Sequence, residues 1–550
     1  MGLVLISRKA LYLLLALVAG WVLYNVAQVV RHLHSPLRVL PGPHTDTRLF
    51  GILPNSLKNA SKEHRFAKKW TEKYGRTFAF RLFGGTYRLY TTDTRAVAHM
   101  LSHTDIYPKS DHLRTVLVAT IGEGLLVAEG EVHKRQRRIM NPSFSPGQIR
   151  EVTPIFFDTA YQLRNVINAL LAKAPTSGAL EVEMYGWVGR AALDIIGQAG
   201  FGYRFNALYD ESNELFRAFH DMFYAMGKAG IFGYLQNRFW LLKLIPTRLG
   251  RLVKQSIATT RRVGMELVSA KKLEVQNELH SKNIEKSRIV GRDLLSALIR
   301  ANMADDLAPA HRMSDEEVLA QISTFIAAGC LQGHETTASG LSWTLLSLAQ
   351  HPDVQSKLRA ELSLVADETP SMDDLNALPY LDMVVKESLR FNSPVTATHR
   401  IAIQADVIPL LHPVVDRNGV VRDTVHVQAG DLVGIQILAM NKSKELWGED
   451  AEEFRPERWA EEAQEARNIP GVWAHIMSFL GGPRACIGYR FSVIESKALL
   501  FALIREFEFA PVPGIEIGGK SAIVYRPNVK GRESEGQQMP LIVKRVARSA

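Results

Sequence analysis

The chain has 550 residues, a net charge of +10 and only two cysteines, Cys330 and Cys486. Two cysteines exclude a disulfide-based fold and a multi-cysteine zinc site, and they suit a reducing compartment. The positive charge favours anionic partners, but no dense run of lysine and arginine is interleaved with aromatic residues, so nucleic acid is not expected as a partner.

An apolar segment near the N-terminus predicts a membrane anchor. Residues 10–30 carry no charge and are mostly apolar, and their length is close to the ~20 residues that a helix needs to cross a bilayer. A cleavable signal peptide is the competing interpretation, but signal cores are shorter, about 7–15 residues. We therefore expect a single-pass anchor within residues 1–33, whose orientation the even Lys/Arg counts on its two sides leave open.

The residues after the anchor predict a short hinge and then one large body. Pro36, Pro41 and Pro43 break any helix and stiffen the exit from the membrane, so residues 34–43 form the hinge. No repeat, low-complexity tract or Gly/Ser linker follows. We therefore expect residues 44–550 to form a single catalytic domain.

Helical patterns dominate this body, and a minor β region accompanies them. The predicted helices run from a capping box at Ser314 and Glu317 to the residue before Pro352, from Pro379 to Phe391, and from Tyr489 to Phe507. The predicted strands lie near residues 77–92 and 425–438 and in the C-terminal stretch "MPLIVKRV". The fold class is therefore mainly α with a minor β region.

A Glu–Arg pair lies on the second of these helices. Glu387 and Arg390 are three residues apart, so their side chains share a helix face and can pair. The spacing alone is weak evidence, because a surface ion pair contributes little to stability. Three other pairs have the same spacing: Glu214/Arg217, Glu285/Arg288 and Glu452/Arg455.

The stretch "FLGGPRACIG", from Phe479 to Gly488, places the lone Cys486 among three glycines and an arginine. A cysteine thiolate is a strong axial ligand to haem iron, and glycines allow the backbone to approach a cofactor closely. Arg484 can pair with a haem propionate through its forked donors. The competing interpretation is an inert buried cysteine, which is the common fate of a free thiol.

The residues around the cysteine favour the haem ligand over the inert cysteine, because they match a known signature. Phe479, Gly482, Arg484, Cys486 and Gly488 match the haem-binding signature F-x-x-G-x-R-x-C-x-G, and the chain in this respect resembles the cytochrome P-450 monooxygenases. The resemblance implies the cytochrome P-450 fold, haem b as cofactor, and Cys486 as the axial ligand of its iron. It also implies that the other four residues contribute to haem binding.

The resemblance also selects among the Glu–Arg pairs. In this family the E-x-x-R pair lies about a hundred residues before the cysteine, and Glu387 lies 99 residues before Cys486. The segment "FRPERW" is similar to the family's P-E-R-F motif, whose arginine, here Arg458, joins Glu387 and Arg390 in a buried structural network. Trp459 stands where the family usually has Phe, and we expect this difference to be tolerated.

The long helix contains "GHETT", which resembles the family's [AG]-G-x-[DE]-T-T motif. Glu335 and Thr336 would be the catalytic acid–alcohol pair that relays protons; the alternative is a threonine that bonds back to its own helix. The family's usual run resembles "FIAAGHETTAS", whereas this chain reads "FIAAGCLQGHETTAS". Cys330–Gly333 therefore stand as four extra residues, which are either an extra turn absorbed as a bulge or a gene-model error at an exon edge.

Three further haem contacts follow from the resemblance. The segment "EGEVHKRQRR" is similar to the family's W-x-x-x-R segment, with His133 at the tryptophan position and Arg137 at the arginine. Arg400 stands where the family has another propionate-binding arginine. For any one of these arginines, the alternative is a solvated surface charge.

The resemblance as a whole implies a fungal microsomal monooxygenase. It would take electrons from NADPH-cytochrome P-450 reductase, whose acidic face suits the +10 charge, with cytochrome b5 as a further candidate partner. The expected location is the endoplasmic reticulum membrane, in contact with lipid and with the catalytic domain in the cytosol. The expected substrate is a lipophilic secondary metabolite of the terpenoid type. A fatty-acid hydroxylase, a haem-thiolate isomerase that needs no reductase, and a non-catalytic haem protein are the alternatives.

Overall fold

The structure, a computed structural model, describes most of the chain beyond the N-terminal segment. The described residues are 34–43, 63–82, 86–173, 178–210, 213–228, 247–280, 293–303, 312–330, 335–461, 464–521 and 524–546, with the isolated residues 12, 19, 20 and 23. Apart from those four residues, the predicted anchor at 10–30 lies outside this part of the chain. Within the described part, none of the helices is long and apolar enough to cross a bilayer.

The described chain is mostly helical with a smaller β content, as the sequence predicted. The helices are α1 Glu63–Tyr74, α2 Thr94–Ser102, α3 Asp111–Ile121, α4 Gly130–Met140, α5 Pro146–Leu171, α6 Met184–Ile195, α7 Glu214–Lys228, α8 Arg248–His280, α9 Leu294–Met303, α10 Asp315–Cys330, α11 Glu335–Gln350, α12 Pro352–Ser363, α13 Met372–Asn376, α14 Pro379–Phe391, α15 Ile437–Asn441, α16 Lys444–Trp447 and α17 Tyr489–Glu506. The strands are β1 Thr77–Arg81, β2 Tyr87–Thr91, β3 Ala179–Glu183, β4 Thr398–Ile401, β5 Asp406–Val415, β6 Val421–Val427, β7 Leu432–Ile435, β8 Phe507–Pro511, β9 Ile517–Ser521, β10 Tyr525–Val529 and β11 Pro540–Arg545.

One of two compact units contains most of the β structure. It comprises the described residues up to Ser110 together with Ala397–Ala439 and Gly482–Arg484. Its main sheet has the strand order β1-β2-β7-β4, in which only β2 and β7 pair in parallel, and β5 and β6 form a separate hairpin. The rings of Phe78 and Tyr90 stack across β1 and β2 with centroids 4.3 Å apart, which anchors the apolar face of this sheet.

The second unit contains most of the helices. It comprises the described residues of Asp111–Thr396, of Met440–Gly481 and of the chain from Ala485 onward. Helix α17 is buried without interruption from Val493 to Ile504, and a helix buried on all sides belongs to the centre of a domain. Since α17 begins at Tyr489, the cysteine-containing stretch leads directly into the core of this unit.

The predicted helix boundaries agree with the structure where the sequence carried capping signals. Ser314 N–H donates to the Glu317 carboxylate at 2.9 Å, and Glu317 N–H donates to the Ser314 hydroxyl at 3.2 Å, which is the expected capping box. Helix α14 begins at Pro379 and ends at Phe391 as predicted. The predicted helix from Ser314 to Pro352 is described as α10 and α11, and residues 331–334 between them lie outside the described residues, so its continuity stays a prediction.

Candidate active site

Cys486 lies in a tight loop between a short 3-10 turn, Met477–Phe479, and helix α17. The N–H of Cys486 donates to the carbonyl of Phe479 at 2.8 Å, which closes the loop. Within the loop, Gly482 has a φ of +67°, and a Cβ atom at this position would lie 2.8 Å from the Leu101 carbonyl oxygen. Only glycine satisfies both the left-handed backbone and this close approach.

The sulfur of Cys486 combines access with a desolvated setting. The side chain keeps solvent-accessible area, yet protein atoms surround it closely enough that burial raises the pKa of its thiol. The two observations agree because accessible area reports immediate contact, whereas the pKa responds to desolvation over a longer range. The N–H of Gly488 and the charge of Arg137 act in the opposite direction and stabilise the thiolate.

Arg137 and His133 lie one turn apart on helix α4 and share one of its faces. The guanidinium of Arg137 donates to the carbonyl of Ala485 at 2.6 Å. Burial lowers the pKa of Arg137, and the nearby Cys486 partly raises it again. His133 is buried. The structure therefore brings Arg137 of this predicted pair to the cysteine loop, and it places His133 one turn away on the same helix.

Arg400, Gly482 and Arg484 belong to the other compact unit. Arg400 lies on β4 and is buried; its guanidinium donates to the hydroxyl of Thr398 at 2.6 Å and to the carbonyl of His399 at 2.8 Å. Arg484 is half-buried at the end of the short turn Gly482–Arg484. The competing interpretation of Arg400 as a solvated surface charge is therefore wrong.

The selected Glu–Arg pair is fully buried. Arg390 donates to both carboxylate oxygens of Glu387 at 2.8 Å, and neither side chain has accessible area. Arg458 is also buried and reaches Glu387 at 3.4 Å, but its shorter bond, 2.6 Å, goes to Asp450. The predicted network of Glu387, Arg390 and Arg458 is therefore present, and Asp450 is a further member that the sequence analysis missed.

Two more donors complete the coordination of the Glu387 carboxylate. The indole N–H of Trp459 donates to it at 3.1 Å, and the backbone N–H of Arg455 donates at 2.9 Å. The expectation that Trp459 merely replaces a phenylalanine missed this bond, because phenylalanine has no N–H to offer. The buried charge is thus fully hydrogen-bonded, which a buried carboxylate requires.

Asn441 and Ser478 connect this network to the cysteine loop, and the sequence analysis missed both. Arg390 donates to the backbone carbonyl of Asn441 at 2.7 Å. The Asn441 side chain accepts from Met477 N–H at 2.9 Å and donates to the Ser478 hydroxyl at 2.9 Å. No motif marks either residue, because their partners lie up to 89 positions away along the chain.

The acid–alcohol pair lies at the start of helix α11. The side chain of Glu335 lies outside the described part of the structure, and that of Thr336 is exposed. The hydroxyl of the next residue, Thr337, lies 3.0 Å from that of Ser492 on α17. Glu495, one turn further along α17, also bonds Thr337, and burial raises the pKa of its carboxyl to about 8.

A site with a single sulfur ligand fits a metal ion whose other ligands are supplied by a cofactor. Within the described residues, no group of three or more His, Cys, Asp or Glu side chains is arranged to hold a metal ion. Cys486 instead offers one accessible sulfur, supported by a backbone N–H and a guanidinium. This donor set fits the iron of haem, whose macrocycle supplies the remaining ligands.

One accessible cysteine sulfur that fits haem iron, connected to a buried glutamate–arginine network, indicates the class of haem-thiolate proteins. The family model for cytochrome P450 matches residues 41–522, and the chain belongs to this family. Proteins of this family bind haem b through a cysteine thiolate on the iron, and the chain is a cytochrome P450 monooxygenase, an oxidoreductase.

Three of the curated proteins that this chain resembles come from fungi. Cytochrome P450 monooxygenase 205 of Postia placenta is 45% identical over 94% of this chain and 95% of its own length. Cytochrome P450 monooxygenase 128 of the same fungus is 43% identical over 97% of both chains. Cytochrome P450 monooxygenase claW of Ampulloclitocybe clavipes is 33% identical, again over 97% of both chains.

Proposed function

We propose that Cys486 is the axial ligand of haem iron in a monooxygenase that oxidises a lipophilic secondary metabolite. The observation that carries this proposal is the accessible sulfur of Cys486 between the Gly488 N–H and the Arg137 charge. Because burial favours the thiol, the sulfur must release its proton when it binds the metal. The haem, when bound, supplies the activation of dioxygen and the transfer of one oxygen atom to the substrate.

The residues that match the family's haem-binding motifs would hold the haem in place. Arg137, Arg400 and Arg484 would pair with its propionates, since guanidinium groups match carboxylates with two donors. His133 would assist Arg137 from one turn away on the same helix face. Phe479, Gly482 and Gly488 would shape the loop under the haem, and the left-handed Gly482 supports this role.

Glu335 and Thr336 would deliver protons to the reacting oxygen. An acid followed by an alcohol can pass a proton from solvent to a site that excludes bulk water. The exposed side chain of Thr336 supports this role. The neighbouring Thr337 is bonded to α17 instead and would hold the start of the helix in place.

Family membership and net charge support a substrate class, redox partners and a location for this protein. A terpenoid-type substrate is favoured, with a fatty acid as the alternative, because the similar proteins are fungal and this family in fungi commonly oxidises both. NADPH-cytochrome P450 reductase, with cytochrome b5 as a second donor, would supply electrons to the positively charged protein. The apolar residues 10–30 would anchor the chain in the endoplasmic reticulum membrane, with the catalytic domain in the cytosol.

The haem-thiolate isomerases are the second candidate, and the Glu335–Thr336 pair favours the monooxygenase, because isomerases of this family typically lack it. A non-catalytic haem protein is the third candidate. Turnover of a panel of terpenoids and fatty acids, with and without reductase and NADPH, separates the three. Product that requires NADPH and reductase supports the monooxygenase, and product without them supports the isomerase.

Replacement of Cys486 tests the proposed ligand. Cys486→Ala should abolish the thiolate-type CO-difference spectrum of the reduced protein and all turnover, because the only other cysteine, Cys330, lies at the end of α10. Cys330→Ala is the matched control and should keep both. A thiolate-type spectrum in Cys486→Ala would contradict the assignment.

A further inference from the structure

A ring of hydrogen bonds joins helix α14 to the start of the cysteine loop. Arg390 donates to the Asn441 carbonyl, the Asn441 amide donates to the Ser478 hydroxyl at 2.9 Å, and that hydroxyl donates to the Leu389 carbonyl at 2.6 Å. Leu389 and Arg390 are neighbours on α14, so the ring begins and ends on the same turn of one helix. It connects three segments that lie far apart in sequence.

Each bond in the ring satisfies a polar group that burial would otherwise penalise. Leu389 lies in the last turn of α14, where backbone carbonyls have no partner within the helix, and the Ser478 hydroxyl supplies one. Asn441 has no accessible area, and its side chain uses its oxygen for Met477 N–H and its amide for Ser478. A fully satisfied buried network of this kind restricts its members to one arrangement.

The ring ends one residue before the loop that Cys486 closes. Ser478 is followed by Phe479, whose carbonyl accepts the Cys486 N–H at 2.8 Å. The N–H of Leu480 donates to the Met477 carbonyl at 2.8 Å. Both ends of the cysteine loop therefore depend on the positions of Met477 and Ser478, which the Asn441 side chain fixes.

We propose that Asn441 is a positioning residue that couples the buried Glu387–Arg390 pair to the cysteine loop. Its backbone carbonyl accepts a hydrogen bond from Arg390, and its side chain bonds Met477 and Ser478, the two consecutive residues that lead into the loop. The coupling itself is a property of the protein chain, whereas its effect on the iron ligand rests on the proposed role of Cys486.

Asn302 provides a matched control for Asn441. It is also almost fully buried, and its side chain also bonds a methionine backbone: it accepts from Met313 N–H at 2.6 Å and donates to the Met313 carbonyl at 2.9 Å. Asn302 lies on α9 and has no bond to the cysteine loop. Removing either amide therefore costs similar hydrogen bonds, but only Asn441 should affect the loop.

Amide hydrogen exchange of the haem-loaded full-length chain tests the coupling. In Asn441→Leu the amides of residues 477–486 should exchange about tenfold faster than in the parent protein, since a lost buried hydrogen bond weakens local protection by about a factor of ten. In Asn302→Leu the exchange of these amides should not change, while exchange near Met313 should increase. Equal exchange of the loop in the two variants would overturn the proposal.

Two further measurements keep the test decisive. If Asn441→Leu does not fold, Ser478→Ala removes only the hydroxyl group from the ring of hydrogen bonds. This variant should still accelerate exchange at the amides of Met477 and Cys486, and unchanged exchange there overturns the proposal. The pH at which the reduced CO complex loses its thiolate-type spectrum should shift in the Asn441 or Ser478 variant and not in Asn302→Leu. If Cys486 is not the iron ligand, this spectral shift disappears while the exchange result stands, so the two failures are distinguishable.

Discussion

At the scale of single residues, Trp459 changes the way in which Glu387 is held. Its indole N–H donates to the buried carboxylate at 3.1 Å. Trp459→Phe keeps an aromatic ring, but it removes this donor together with part of the ring that packs against Trp447. Because a hydrogen bond to a buried charge contributes about 1.5–3 kcal/mol, we expect the variant to lose about that much of its free energy of unfolding, measured by urea denaturation of the haem-loaded protein.

Trp447 offers the matched control, since its ring packs edge-on against that of Trp459 with centroids 5.4 Å apart. The indole N–H of Trp447 is buried and has no hydrogen-bond partner among the residues that the structure describes. Trp447→Phe should therefore lose clearly less stability than Trp459→Phe, because it removes no hydrogen bond. Equal losses would mean that ring packing, and not the bond to Glu387, accounts for the effect.

Thr336 should govern how efficiently electrons are used. In Thr336→Ala, haem and substrate binding should persist, but less product should form per NADPH consumed, and the missing electrons should appear as hydrogen peroxide, since the proton relay is broken. Thr337→Ala is the control, because it removes the bond to Ser492. It should affect the free energy of unfolding more strongly than the amount of product formed per NADPH consumed. An unchanged ratio of product to NADPH in Thr336→Ala would contradict the proposed relay.

Spacing along the chain predicted the residues whose partners are local or fixed by a motif. Glu387 and Arg390 are neighbours on one helix, and the loop signature marked Cys486 directly. Asn441 could not be predicted in this way, because its role depends on tertiary contacts that a single sequence does not encode as a pattern. The sequence identified Trp459 as a difference from the phenylalanine that is usual in the family. Its hydrogen bond could not be predicted, because it depends on the orientation of the ring, which spacing does not determine.

At the scale of elements, helices with capping signals were predictable and several strands were not. Helix α14 has a proline at its first turn, and α10 begins at a capping box. Strand β5 contains Pro409 and Pro413, which argue against a strand, and the structure accommodates them with an irregular register between Pro409 and Val414. Within the described residues, strands β9 and β10 form a two-stranded sheet of their own, and no long apolar pattern in the sequence distinguished them.

Helix α11 packs against helix α17 and buries Glu495 between them. The stability of this pair of helices therefore depends on pH. Burial raises the pKa of Glu495 from 4.5 to about 8. Between these two values the unfolded chain has released this proton while the folded chain keeps it, so the folded state loses stability as the pH rises. This loss begins above about pH 4.5 and is complete above about pH 8.

Glu495→Gln removes the ionisable proton and keeps a side chain of similar shape. The stability of this variant relative to the parent protein should therefore increase by about 2–4 kcal/mol between pH 5 and pH 8.5, measured by urea denaturation at several pH values. Glu508→Gln, at an exposed position on β8, should give a curve parallel to that of the parent. A Glu495→Gln curve that also runs parallel would rule out a raised pKa for Glu495.

At the scale of the whole molecule, the net charge of +10 should control the approach of the reductase. Charge attraction across a solvated surface is screened over about 10 Å at 0.1 M salt and about 3 Å at 1 M. The rate of reduction by the reductase should therefore fall about tenfold or more between 0.05 and 0.5 M salt, measured by stopped flow under CO. Reduction by dithionite, which needs no docking, should change little, and a salt-independent reductase rate would contradict the proposed electrostatic docking.

The order of the strands in the three-stranded sheet has a consequence for the synthesis of the protein. The central strand, β11, pairs with β3 on one side and β8 on the other, yet it is the last of the three to be made. About 360 residues separate β3 from β11, which corresponds to roughly 20–70 s of translation at about 5–20 residues per second. Until β11 has emerged from the ribosome, both outer strands present open edges, so a nascent chain of this protein depends on protection from aggregation until β11 is available to pair.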